Sequence, residues 1–293
     1  MAVKVLLDTD IGSDIDDAVC LAYLLCQPVC DLVGITTVTG EPQRRAMLAS
    51  AVCRAAGRDE VPIFAGAETP ILVAPLQPAA PQAEALEQWP HRTDFEPNAA
   101  VAFLRDTIRA NPGEVTLLTI GPLTNIGLLF ALDPEMPGML ADLVSMCGYF
   151  GVGEPWTGDA EWNARGDPHA TAIVYAARPP RHLSVGLDVT RQCRMPTREA
   201  IDRFVPPPLD CVADLARVYG RTSETTTFHD PLAGALIFEP DLCDYADGEV
   251  EIELAGPQPT GVTHWHPGGA ETHRVAAAVN ADRFFEHYFG VFQ

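Results

Sequence analysis

Val3-Lys4-Val5-Leu6-Leu7-Asp8-Thr9-Asp10-Ile11-Gly12-Ser13-Asp14-Ile15-Asp16-Asp17 opens the chain and decides how the rest is read. The apolar, β-branched run before Asp8 predicts a strand. Ala-Val-Cys-Leu-Ala-Tyr-Leu-Leu at 18–25 predicts a buried helix. Five carboxylates lie in the turn between them, at 8, 10, 14, 16 and 17. In an open α/β sheet such a turn lies at the carboxyl end of a strand, where ligands bind. Like charges this close repel, so a divalent cation is their natural partner.

Composition narrows the ligand. With 293 residues and 47% hydrophobic content the chain can bury a large core. The formal charge of −21 disfavours nucleic acid, whose backbone is bound by lysine and arginine. Lys4 is the single lysine. That removes the P-loop, which needs a lysine at the phosphates, and Schiff-base chemistry. A small, uncharged, hydroxyl-bearing substrate suits an acidic site holding a metal. The eight cysteines are scattered without a Cys-x-x-Cys and read as reduced core residues. Met1-Ala2 leads straight into the first strand and no apolar run is long enough to cross a bilayer, so the expectation is a soluble, cytoplasmic protein without membrane contact.

Further strands are expected at 31–38, 61–64, 114–120, 143–147 and 182–187, and helices at 43–56, 98–110, 167–177, 210–219 and 232–238. Strands alternating with helices imply a mainly parallel, Rossmann-like open sheet with right-handed crossovers. A small C-terminal strand pair, 249–254 with 272–279, and a closing helix at 282–289 complete a single α/β domain over 1–293. The Pro-, Ala- and Gln-rich stretch 68–97 is long for a loop and reads as a lid or a surface excursion.

Three elements can meet at the carboxyl edge of that sheet: the acidic turn, the Ile120–Asn125 turn and His229-Asp230. Carboxylates from the turn and Asp230, with the Ile120 carbonyl, make an all-oxygen set suited to Ca²⁺. The spacing excludes an EF-hand. Helix capping accounts for one or two of the acids, and five exceed what capping needs. His229 in a cleft would serve as a general acid near neutral pH. His264, His266 and His273 read as an exposed polar strand rather than a zinc site. Trp89, Trp156 and Trp162 are candidates to stack on a base.

The motif Asp8–Ala18 resembles the N-terminal signature of the inosine–uridine-preferring nucleoside hydrolases. So do Ile35-Thr36-Thr37-Val38 with Gly40, Gly121-Pro122-Leu123-Thr124-Asn125, Ala160-Glu161-Trp162-Asn163 before Asp167-Pro168, and His229-Asp230-Pro231. The resemblance implies a tightly held Ca²⁺ and hydrolysis of the N-glycosidic bond of a ribonucleoside. Asp10, Asp17, the Ile120 carbonyl and Asp230 would bind calcium, and Asp10 would take the proton of a calcium-bound water. Asp16, Glu161 and Asn163 would hold the ribose hydroxyls, and His229 would protonate the leaving base. A homodimer or homotetramer is implied as well.

Three positions depart from that pattern. Glu41 follows Gly40 where the family has asparagine, Glu154 stands nearest to an expected loop asparagine, and only His91 can represent a missing His-Gly. The two acids, as substrate-binding groups, point to a different or a cationic nucleoside. Two other readings of the acidic turn are a calcium-dependent riboside-binding protein without turnover and a HAD-like phosphatase. The phosphatase would need a second lysine.

Overall fold

In the computed structural model, which describes residues 2–152, 158, 160–256, 259–268 and 273–293, the opening run forms the strand Val3–Thr9 (β1), buried from Val5 onward. Leu6 packs into one apolar cluster, and Val5 and Leu7 into another. The sheet therefore separates two cores, and a strand covered on both faces is apolar throughout rather than alternating.

The remaining strands are Cys30–Thr37 (β2), Ile63–Ala65 (β3), Val115–Thr119 (β4), Asp142–Ser145 (β5), His182–Ser184 (β6), Arg194–Pro196 (β7), Thr225–Thr227 (β8), Cys243–Ile252 (β9), Thr263–Pro267 (β10) and His273–Val279 (β11). One nine-stranded sheet has the order β10-β9-β11-β6-β5-β4-β1-β2-β3, and β7 with β8 forms a separate antiparallel ribbon. From β3 through β6 to β11 the pairing is parallel. Only β9 runs against its neighbours.

This order places the functional crevice. The chain leaves β1 toward β2 and β3, then returns to build β4, β5 and β6 on the other side. At such a reversal the loops following the two central strands part, which opens a cleft at their carboxyl ends. The Ile120 N–H still reaches the Asp8 carbonyl at 2.9 Å, so the turns after β1 and β4 begin side by side.

Several expectations are refined. The first helix is Asp16–Cys26, two residues longer at its start, because carboxylates are favourable in a first turn. The expected C-terminal pair forms, β9 against β11, and it joins the main sheet through β11 against β6, with β10 added beyond β9. The strand expected over 182–187 ends at Ser184, and Leu187–Thr190 is a helical turn. The 68–97 stretch contains a 3-10 helix, Pro81–Gln88, with Gln82, Ala83, Ala85 and Leu86 buried. His273 is buried beside His182 and Tyr175, while His264 and His266 lie on β10 two strands away. Among the described residues no helix is long and apolar enough to cross a membrane.

Candidate active site

The five acids of the turn separate by environment. Asp8, the last but one residue of β1, is fully buried and turned into the fold. Its Oδ1 accepts from Thr36 Oγ1 at 2.5 Å and Asn125 Nδ2 at 2.7 Å, and burial pushes its pKa up to about 7. Asn125 in turn accepts from the Ala67 N–H at 2.9 Å. Asp8 and Asn125 thus join β1, β2 and the helix Thr124–Leu132 beneath the cleft.

Asp16 and Asp17 stand in the first turn of Asp16–Cys26, and Asp230 in the first turn of the helix His229–Leu236. The two helices pack closely because Gly234 has no side chain: a Cβ there would lie 3.0 Å from Cys20 Sγ. Their positive ends converge, and oxygens of Asp16, Asp17 and Asp230 lie within 4.8 Å of one another. Thr9 Oγ1 donates to Asp17 Oδ1 at 2.5 Å, fixing that carboxylate to the end of β1. Burial, then repulsion from neighbouring carboxylates (Asp14 for Asp16, Asp10 for Asp17, Asp16 for Asp230), pushes all three acids well above the carboxylate range. A divalent cation among them would reverse that preference.

Asp10 lines the same cavity. Burial raises it to about 6 against the opposing charge of Arg45. Gly121 closes over it, since a Cβ there would come within 2.9 Å of both Asp10 N and Oδ1. That contact explains the glycine after β4. The Ile120 carbonyl at the end of β4 accepts from Asn163 Nδ2 at 3.0 Å, and a carbonyl keeps a second lone pair for a ligand.

Glu161 caps the short helix Trp162–Gly166, which composition alone did not reveal. Its Oε1 accepts from Asn163 N at 2.8 Å, and its Oε2 from Ala164 N at 2.9 Å and Gly148 N at 3.1 Å. Burial raises its pKa against those bonds. Asn163 commits its amide N–H groups to the Ile120 and Met146 carbonyls, both at 3.0 Å. What it has left for a ligand is an acceptor oxygen. His229 pairs through Nδ1 with Thr190 Oγ1 at 2.7 Å, and burial, then Arg191, holds its pKa down to about 4. The ring is neutral at neutral pH and carries one N–H.

Asp10, Asp16, Asp17, Ile120, Glu161, Asn163, His229 and Asp230 therefore line one cavity of about 350 Å³. Glu41 is not brought to it. Its backbone is left-handed (φ 57°), and its carboxylate accepts from Ala80 N at 2.9 Å and Arg44 at 3.0 Å beside a different cavity shared with His91. Glu154 and Trp156 lie outside the described residues. Trp162, 41% exposed, lines the site, whereas Trp89 donates to Asp214 at 3.0 Å elsewhere. Asp14, Tyr219, Thr222 and Gln77 also line it. Of these only Asp14 carried a sequence signal, as part of the acidic turn. Lys4 sits at the opposite end of β1, bonded to Asn111 and Glu114 at 2.6 and 2.7 Å, and supplies no charge for a phosphoryl group here.

Comparison with known proteins accords with this geometry. A family model described as inosine-uridine preferring nucleoside hydrolase matches residues 5–286. An uncharacterized protein of Schizosaccharomyces pombe is 31% identical, the match covering 97% of each chain. The pyrimidine-specific ribonucleoside hydrolase RihA of Shewanella sp. (strain MR-7) is 32% identical, over 90% of this chain and 86% of its own. Among solved structures, a plant nucleoside hydrolase superposes with a TM-score of 0.84 at 24% identity, covering 100% of this chain and 99% of that one. A purine-preferring ribonucleoside hydrolase from Gardnerella vaginalis gives 0.83 at 24% identity, covering 99% and 98%. The two superpositions establish a common fold.

Proposed function

This chain belongs to the inosine-uridine preferring nucleoside hydrolase family, and from that premise we propose that it is a Ca²⁺-dependent hydrolase that splits the N-glycosidic bond of ribonucleosides into ribose and free base. The observation that carries the reading is the convergence of Asp16, Asp17 and Asp230 within 4.8 Å, with Asp10 in the same cavity. An all-oxygen donor set with no thiolate suits a hard cation. Asp10, Asp17, the Ile120 carbonyl and Asp230 would hold it, and Asp16, beside Asp17 and Asp230 in the same cavity, would meet a ribose hydroxyl. When bound, calcium would orient the ribose diol and make water a better nucleophile.

The chain's own groups supply the rest. Asp10, lining the cavity beside the cluster, takes the proton of the attacking water. Asp16, Glu161 and the Asn163 amide oxygen accept hydrogen bonds from ribose hydroxyls. Cleavage develops positive charge on the sugar, and the acids around it stabilise that charge. His229, neutral rather than the general acid expected near neutral pH, accepts at Nδ1 from the Thr190 hydroxyl and donates a hydrogen bond from Nε2 to the departing base, keeping its proton. Glu41, facing another cavity, has no part in this scheme.

The whole of 1–293 acts as one domain in this proposal, as a cytoplasmic homodimer or homotetramer. Likeness to a pyrimidine-specific relative makes uridine and cytidine the first substrates to try. The test is a panel of uridine, cytidine, inosine and adenosine with purified protein and calcium, read as reducing sugar released. Release from at least one supports the proposal, and none from any member overturns it.

A further inference from the structure

Arg45, in the helix Pro42–Ala55, is completely buried, and Gln82 is as well. A buried guanidinium is costly unless every N–H finds an acceptor. Arg45 Nε donates to the Gly40 carbonyl at 2.7 Å. Nη1 donates to the carbonyls of Asp10 and Ile11 and to Ser13 Oγ, and Nη2 to the carbonyls of Gln77 at 3.3 Å and Ala79 at 3.1 Å. Gln82 continues the pattern: its backbone N–H donates to the Gly12 carbonyl at 3.0 Å, and its Nε2 to those of Ser13 at 3.1 Å and Asp14 at 2.8 Å.

Each carbonyl from Asp10 to Asp14 thus receives a donor from Arg45 or Gln82. The turn's carbonyls are committed to these donors, and its side chains, Asp10, Asp14, Asp16 and Asp17 with Ser13, line the cavity. The packing at Gly12 is equally tight. Its φ is 118°, and a Cβ there would meet Leu48 Cδ1 at 2.5 Å and Ala80 Cβ at 3.1 Å. The positive charge behind the turn also faces Asp10 and Asp17 and offsets part of their repulsion.

We propose that Arg45 and Gln82 are positioning residues that assemble the acidic turn before any cation arrives, so that the cation meets a preformed set of carboxylates. Neither residue touches the cation. They act by removing the reorganisation that binding would otherwise require, as the outer partners of metal ligands do elsewhere. The inference rests on the metal reading above.

The test is calorimetric titration of Ca²⁺ into the chelator-stripped full chain, its Arg45→Lys variant and its Gln82→Ala variant, each shown to be folded by circular dichroism. Lysine keeps the charge and loses the fork, so Arg45→Lys should bind calcium at least about tenfold more weakly, and Gln82→Ala severalfold more weakly. Both should lose more melting temperature in excess calcium than in chelator, because weaker binding returns less stabilisation, a difference that general loosening of the core does not produce. Folded variants with wild-type affinity overturn the inference and leave the metal reading standing. If Arg45→Lys does not fold, an unchanged affinity in Gln82→Ala overturns it alone. A wild-type chain that binds no calcium overturns both readings together.

Discussion

The backbone N–H of Asp230 donates to Asp16 Oδ2 at 3.3 Å, joining residues 214 positions apart. The bond marks where the first turns of two helices meet, and each helix N-terminus contributes positive potential to a point crowded with carboxylates. Neither helix alone could hold that charge. Together with the ends of β1 and β4 they form a site that belongs to the tertiary fold.

If Asp10 is the base, Asp10→Asn should keep the cavity, since the amide is nearly the same size and fits beneath Gly121. Turnover of the best nucleoside should fall by about a thousandfold, within the range of general-base effects. Steady-state kinetics check this, and substantial turnover in the variant would remove the assignment.

His229 should matter in proportion to the difficulty of the leaving group. His229→Ala should slow a natural nucleoside far more than nitrophenyl riboside, whose leaving group is stable as an anion without a hydrogen bond. Thr190→Val, which removes the partner of Nδ1, should cause a smaller loss of the same kind. Equal losses on both substrates would argue against support of the departing base.

Removing the cation should destabilise the fold, because Asp16, Asp17 and Asp230 are then left buried together. A ligand at a hundred times its dissociation constant stabilises by about 2.7 kcal/mol. Calcium should accordingly raise the melting temperature over that in chelator, and Asp230→Asn should shrink the difference. A melting temperature indifferent to chelator in the wild-type chain contradicts this.

Away from the site, His182 makes a pH prediction. Burial, then the neighbouring His273, holds its pKa well below 6.5 in the folded chain. Protonation therefore favours unfolding: the stability it supports is complete above about pH 6.5 and is lost as pH falls toward the folded value, by at most about 1.4 kcal/mol per pH unit. Denaturation of wild type and His182→Phe at pH 7 and pH 5 should show the steeper loss in wild type. Equal slopes would contradict it.

Much of this was legible in the sequence because the signals are local. The run ending in Leu7, the carboxylates after it and the Gly121 turn each announce a strand end with a polar edge. His229-Asp230 is a short motif whose neighbour, Pro231, starts a helix. Arg45 was not legible. Adjacent Arg44 is exposed and pairs with Glu41, while Arg45 is buried by carbonyls that arrive from 10–11, 40 and 77–79. No periodicity records where a carbonyl will be delivered.

The 68–97 stretch illustrates the same gap. Its composition is that of a loose loop, yet Gln82 ties it to the acidic turn, the carbonyls of Gln77 and Ala79 hold Arg45, and the Ile71 N–H donates to Asp167 at 2.8 Å. Glu41 drew attention for its charge, and its placement depended on a left-handed backbone that the sequence does not display. Glu161 was found by its motif, but its service as a helix cap needed the backbone of 148 and 163–164.

The most direct measurement is ribose released from uridine and cytidine by protein stripped with chelator and then resupplied with calcium. The stripped chain should release none, and calcium should restore release of ribose and base in equal amounts, with no restoration in folded Asp17→Ala or Asp230→Ala. Hydrolysis that survives stripping undiminished, or none from any ribonucleoside in either state, would contradict the account.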